Sequence, residues 1–131
     1  MDELPIRSGD DVVRVRQHVR NAAAEHGLSL VDQTKLVTAA SELARNTLIH
    51  GGGGVARVES VKSANGRAGV KLYFADEGPG IANVDLALTD GWSSGTGLGL
   101  GLSGSRRLVD EFELKSEPGV GTNVVIVKWS R

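Results

Sequence analysis

The sequence contains no cysteine, which excludes disulfides, thiolate metal sites and a cysteine nucleophile. It also lacks an excess of either charge, since 15 basic and 16 acidic residues leave a formal net charge of -1. Bulk electrostatics therefore gives no drive toward nucleic acid or an anionic membrane, and neither is expected as a partner. No apolar run approaches transmembrane length, and Met1 to Asp10 has no apolar signal core. A cytoplasmic location is the expectation. Repeats, linkers and low-complexity tails are missing as well, so 131 residues read as one domain, 1–131, with one core. Glycine is what is abundant. Its 18 residues are about twice the ordinary share, and they cluster where backbone must bend or come close to something.

The stretch from Lys35 to Gly51, K-L-V-T-A-A-S-E-L-A-R-N-T-L-I-H-G, organises the rest. At helical spacing Leu36, Val37, Ala40, Ala44 and Leu48 fall on one side and can pack on a core. Glu42 and Asn46 lie four apart on the opposite side, one turn above the other, flanked by Ala39 and Ile49. A carboxylate and an amide among small apolar neighbours suggest a second contact surface, for a ligand or for another part of the fold.

Leu4 to Arg7 reads as a short edge strand. Ser8 with Asp11 three residues on resembles a capping box, opening a helix that runs to about His26 and stops at Gly27. Its inward residues are Val12, Val15, Val19 and Ala22/Ala23. Ser29 can cap the central helix, and Gly51 to Gly54 reads as a flexible joint. Val55 to Lys62 and Arg67 to Ala75 then read as two strands around the hairpin signal Asn65-Gly66. Val70, Leu72, Phe74 and Asp76 share one face by period two. That places a carboxylate at the end of an apolar row, where it needs donors that nothing nearby clearly supplies. The plainer reading is that the strand has ended and Asp76 opens the Glu77-Gly-Pro-Gly80 turn. Ala82 to Thr96 reads as a mobile lid with Leu86 and Leu88 as anchors. A glycine-rich loop, Gly95 to Leu102, then opens a helix over Ser103 to Phe112. Glu113 to Ser116 and Thr122 to Trp129 read as strands, the second central because it is β-branched.

Alternating glycines ahead of a helix let backbone N–H groups converge on an anion, and phosphate is the usual guest. Gly95, Gly97, Gly99 and Gly101 exceed what a tight helix entry needs. Gly99-x-Gly101-x-x-Gly104 fits the dinucleotide fingerprint, but no convincing strand precedes it and too little chain follows. Walker A fails because no Gly-Lys-Ser/Thr occurs. A phosphate loop outside both classes is left.

Three stretches together carry a resemblance. Glu42-Leu-Ala-Arg-Asn46 with His50-Gly51 resembles the N box of the GHKL ATPases. Asp76-Glu-Gly78-Pro-Gly80-Ile81 resembles their D-x-G-x-G-I box, and Gly97-Leu-Gly-Leu100 or Gly99-Leu-Gly-Leu102 resembles their second glycine box. Order and spacing agree over nearly the whole chain. Val31 to Lys35, Ser41 to Asn46, Asp90 to Ser94 and Arg107 to Phe112 are further similar to the anti-sigma-factor serine kinase branch, including the switch kinases of bacterial stressosomes. The resemblance implies an α+β Bergerat fold: a two-layer sandwich whose mixed, mostly antiparallel sheet carries helices on one face. It implies ATP and Mg²⁺ as cofactors, with Glu42 as general base and Asn46 as the metal ligand. Asp76 would accept from the adenine amino group, with Thr122 assisting through water. Gly78, Gly80 and Ile81 would approach the base, and Gly97, Leu98, Gly99, Leu100, Gly101 and Leu102 would wrap the phosphates. STAS-domain proteins would be the substrates, and a downstream output protein, often a PP2C-type phosphatase, would be activated by the freed kinase. One departure stands out. Related kinases carry a lid arginine, whereas Ile81 to Leu102 holds no Arg or Lys. Arg45 or the pair Arg106/Arg107 is left to supply that charge. The competing reading is a nucleotide-dependent module that sequesters a partner with little or no phosphoryl transfer.

Overall fold

Burial with period two sets the sheet. In a computed structural model, which describes residues 2–81, 88 and 101–131, the strands are β1 (Asp2–Ile6), β2 (Gly54–Lys62), β3 (Ala68–Asp76), β4 (Glu111–Glu117) and β5 (Gly121–Trp129). They form one sheet in the order β1-β2-β3-β5-β4. The resemblance implies a mixed, mostly antiparallel sheet, and every described pairing is antiparallel. Ala56, Val58, Val70, Leu72, Phe74, Val124 and Ile126 alternate along three strands and are all buried in one cluster. Helices α1 (Gly9–Glu25) and α2 (Leu30–Ile49) cover that face, so a sheet and a helical layer enclose the core.

The caps act where the sequence places them. Ser8 Oγ accepts from Asp11 N–H, and the Asp11 carboxylate reaches back to Arg7 N–H at 2.8 Å. That Arg7 bond, more than the neighbouring Arg14 guanidinium, holds the Asp11 carboxyl below its ordinary range. Ser29 Oγ accepts from Asp32 N–H at 3.1 Å, and Gly27 closes α1 at φ +81°. Val15, Val19 and Ala23 face the core from α1. In α2 the buried set is wider than a single stripe: besides Leu36, Val37, Ala40 and Ala44, it includes Ala39, Glu42, Leu43 and Thr47. The cause is packing on three sides, since α2 touches the sheet, α1 and the short helix α3 (Gly101–Arg107).

Two expectations are corrected. The helix expected over Ser103 to Phe112 ends at Arg107. Leu108 N–H closes back onto Ser105 O, and Asp110 N–H donates to Val127 O at 2.9 Å. The chain is thereby drawn into β4, where Phe112 pairs with Ile126. Leu108, Val109 and Phe112 all pack on the core, but from a turn and a strand, a pattern that mimics helical spacing. The glycine run is also more than a joint. Gly52 and Gly53 make the turn with positive φ, while Gly54 already pairs with Ile6 and Asp76. A Cβ on Gly54 would lie 2.0 Å from Ala75 O, so strand pairing there requires glycine.

At the far end of α2, a charged cluster is buried. Lys128 is 4% exposed, and its Nζ lies 3.6 Å from both Asp32 and Asp110. Arg131 reaches the same two carboxylates, and Trp129 N–H donates to Asp110 at 2.7 Å. This ties the start of α2, the entry to β4 and the end of β5 together.

Candidate nucleotide site

Glu42 and Asn46 sit on the C-terminal half of α2, where Glu42 is 6% exposed and Asn46 half-buried. The helix ends with His50 N–H and Gly51 N–H both donating to Asn46 O. Gly51 then lies directly against Asp76. A Cβ built on it would be 2.4 Å from the Asp76 Cγ. Gly78 presses on the same point, since its own Cβ would meet Gly51 Cα at 2.7 Å. Two stretches well separated in sequence thus meet through two glycines, with no room for a methyl group on either.

Asp76 is the last residue of β3, half-buried, with Oδ1 accepting from Gly78 N–H at 2.9 Å. The donor missing from the sequence reading is therefore local, two residues on, as in an Asx turn. Both readings of Asp76 hold in part: the strand ends there, and the side chain still continues the row of Val70, Leu72 and Phe74. Thr122 stands opposite Asp76 in the β3–β5 register. Its hydroxyl lies 2.9 Å from Ser116 Oγ, which also accepts from Ile81 N–H at 2.6 Å. Pro79 O accepts from Gly119 N–H at 2.8 Å. Gly80, at φ +75°, is packed so that a Cβ would meet Glu117 O at 2.4 Å. The 78–81 loop is thereby hung on the β4–β5 hairpin.

Gly101 begins α3, and the Leu102 side chain turns into the core. Contact between α2 and α3 brings this end of the glycine-rich loop toward the Glu42 helix. Gly97, Leu98, Gly99 and Leu100, and Leu86 with most of the expected lid, lie outside the described residues. Leu88 packs on the core as expected of an anchor, and its carbonyl accepts from Arg106. Among the described residues no group of three or more His, Asp or Glu side chains could hold a metal by itself. Sequence reasoning passed over Ser116. The signal was present, for Phe112, Leu114 and Ser116 form an apolar row with a polar end, as the β3 row does.

The fold, with the end of α2 meeting the 76–81 loop, points to an ATP-binding domain. The family model for histidine kinase-, DNA gyrase B-, and HSP90-like ATPases matches residues 31–130, and the chain belongs to that family. Within it the chain falls in a protein-kinase branch. It is 45% identical over 121 residues to "Serine/threonine-protein kinase RsbT" of Bacillus subtilis (strain 168), covering 92% of this chain and 90% of that one. It is 31% identical over 106 residues to an "Anti-sigma F factor" of Clostridium kluyveri, covering 76% and 72%. Among solved structures, the RsbU and RsbW domains of Rv1364c from Mycobacterium tuberculosis align at TM-score 0.62 and 21% identity. All of this chain is covered but only 33% of that longer one, so that likeness concerns the fold. No described helix is long and apolar enough to cross a membrane.

Proposed function

We propose that this chain transfers the γ-phosphoryl group of ATP to a serine or threonine hydroxyl on a STAS-domain protein, and that Glu42, Asn46, Asp76 and Thr122 carry the reaction. The observation that supports this most is the contact of Gly51 with Asp76 and Gly78. It joins the end of the Glu42/Asn46 helix to the loop that would receive the base. Asp76 holds one carboxylate oxygen on Gly78 N–H and directs acceptor capacity toward an exocyclic amine. The backbone of Gly78, Gly80 and Ile81 lines the approach, and the loop over 97–102 would cover the phosphates. Mg²⁺ is commonly held by one or two side-chain oxygens together with phosphates and water, so the single amide oxygen of Asn46 fits the ion. Bound there, it would neutralise charge developing on the transferred group. Glu42, four residues before Asn46 on the same rigid helix, would accept the proton as the substrate oxygen attacks phosphorus and ADP departs. By the family resemblance, the kinase, once released, would activate a downstream output protein, often a PP2C-type phosphatase. The cytoplasm, where ATP and such partners meet, is the proposed location.

Glu42→Gln separates chemistry from binding. Glutamine keeps the volume and helix propensity but cannot take a proton, and general-base losses run about 10²- to 10⁴-fold. ATP affinity and melting temperature should stay near wild type. Asn46→Ala should weaken Mg·ATP binding as well as transfer. Single-turnover phosphorylation of a cognate STAS protein, with calorimetry, measures both. Unchanged transfer by Glu42→Gln removes the base assignment and favours the partner-sequestering module, a reading also supported by the absence of Arg and Lys from Ile81 to Leu102.

A further inference from the structure

We propose that the end of the β2 edge docks an extended segment of a partner protein. The segment adds as a strand in line with β1 and carries a basic side chain over α1. The phase of β2 tells which backbone groups are open. Ser63 N–H donates to Arg67 O across the hairpin, so Ser63, and with it Val61 and Glu59, turn their N–H and C=O toward β3. Ala68, opposite Lys62, accepts from Ser130 N–H on its other side, which agrees. Ser60 and Lys62 therefore turn theirs away from β3. On that side β1 reaches only to the pairing of Asp2 with Val58, whereas β2 runs on to Lys62. Among the described residues no strand faces Ser60 or Lys62, so two N–H and two C=O groups point outward. An added strand satisfies such an edge.

Beside this edge a cleft of about 560 Å³ opens between β2 and the second half of α1, lined by His18, Asn21, Glu25 and Ser60 among others. Ala56 and Val58 are buried on the helix-covered face, and Ser60, next in that row, is exposed because the cleft begins there. Directly opposed residues share a face, so a partner residue opposite Ser60 enters the cleft and one opposite Val61 lies on the outer face. Two carboxylates line the cleft, and no Lys or Arg does so among the described residues. The Glu59 carboxylate accepts from Tyr73 Oη–H at 2.9 Å, whereas exposed Glu25 is left to an incoming cation. A basic side chain opposite Ser60 fits that charge, and one opposite Lys62 would be repelled. Half-buried Val61 offers the outer face to a β-branched residue. Ser60 lies about 20 Å along β2 from Gly54, the partner of Asp76, so a docked strand leaves the candidate nucleotide site open.

The test uses the full chain and two end-capped probe peptides, Thr-Thr-Val-Arg-Val-Thr and the same peptide with glutamate in place of arginine. Calorimetry and backbone amide shifts follow binding. The arginine peptide should bind with its largest shifts at Ser60 and Lys62, and the glutamate peptide about tenfold more weakly. Ser60→Pro removes an outward N–H that β3 does not use, a position where strands tolerate proline. It should weaken the arginine peptide about tenfold or more with the melting temperature little changed. Val61→Pro, which removes a bond to β3, should lower the melting temperature strongly and so checks the phase of the strand. Should Ser60→Pro fail to fold, Glu25→Lys on the exposed side of α1 should reverse the preference between the two peptides. No binding of either peptide at millimolar concentration overturns the proposal, and so does equal binding of the arginine peptide by wild type and folded Ser60→Pro. Self-association of the wild-type chain that Ser60→Pro abolishes, read by sedimentation, also overturns it, because the edge would then belong to a second copy.

Discussion

Gly51 places two motifs together because it has no side chain. Asp76 Cγ occupies the space where a Cβ would stand, 2.4 Å away, so alanine must push the carboxylate aside. Gly52, at φ +74°, has nothing within 4 Å of its Cβ position. Its substitution strains the backbone by about 1–2 kcal/mol but leaves Asp76 in place. The two variants should therefore separate cleanly. Gly51→Ala is expected to weaken ATP binding by about tenfold or more, and Gly52→Ala to lower stability with little change in affinity. Calorimetry and urea unfolding on both variants measure this. Equal losses of affinity would show that the turn as a whole, not the Asp76 contact, is what matters.

At the scale of elements, α2 is held at both ends by different chemistry. Its C-terminal end meets the 78–81 loop through glycine contacts, whereas its N-terminal end is held by charge. Lys128 is buried between Asp32 and Asp110, and removing one partner of a buried pair leaves uncompensated charge. Lys128→Ala is expected to cost about 3–5 kcal/mol. Arg131 touches the same carboxylates, but its side chain is 60% exposed, and Arg131→Ala should cost no more than about 1 kcal/mol. Urea unfolding of the two variants decides it. Similar small losses would mean that Asp32 and Asp110 are already satisfied by the backbone and by water.

At the scale of the molecule, binding and stability are coupled because the site is assembled from α2, the end of β3 and the β4–β5 hairpin. A ligand that binds only this assembly stabilises the fold by mass action, by about 2.7 kcal/mol at a hundredfold excess over Kd. Mg·ATP should produce that shift in wild type, and Asp76→Asn should lose most of it. Amide exchange should locate the same effect. β3 and β5 lie inside the sheet and should exchange slowest, while β1 at the edge should open earlier. Nucleotide should slow exchange at Gly78 to Ile81 more than in β1. Uniform slowing across the sheet would argue against a ligand seated on that loop.

Local signals alone determined most of the elements. Ser8 and Ser29 capped helices as serine does, Asn65-Gly66 closed a hairpin, and period-two alternation chose the buried face of β3. These were legible because each depends on a residue and its near neighbours. The three boxes were legible too, as order and spacing, and they carried the family. What only the tertiary structure decided were the contacts between distant stretches. Leu108, Val109 and Phe112 reach the core at helical spacing from a turn and a strand, because Val127 pulls Asp110 into the sheet. Ala39, Leu43 and Thr47 are buried because α3 and the sheet enclose α2, which no single-helix pattern records. The glycines at 51 and 54 look like a flexible run, since the need for a missing Cβ appears only when Asp76 and Ala75 arrive from another strand. Ser116 and Lys128 became visible for the same reason: a polar residue ending an apolar row acquires a meaning only from the partner that the fold brings to it.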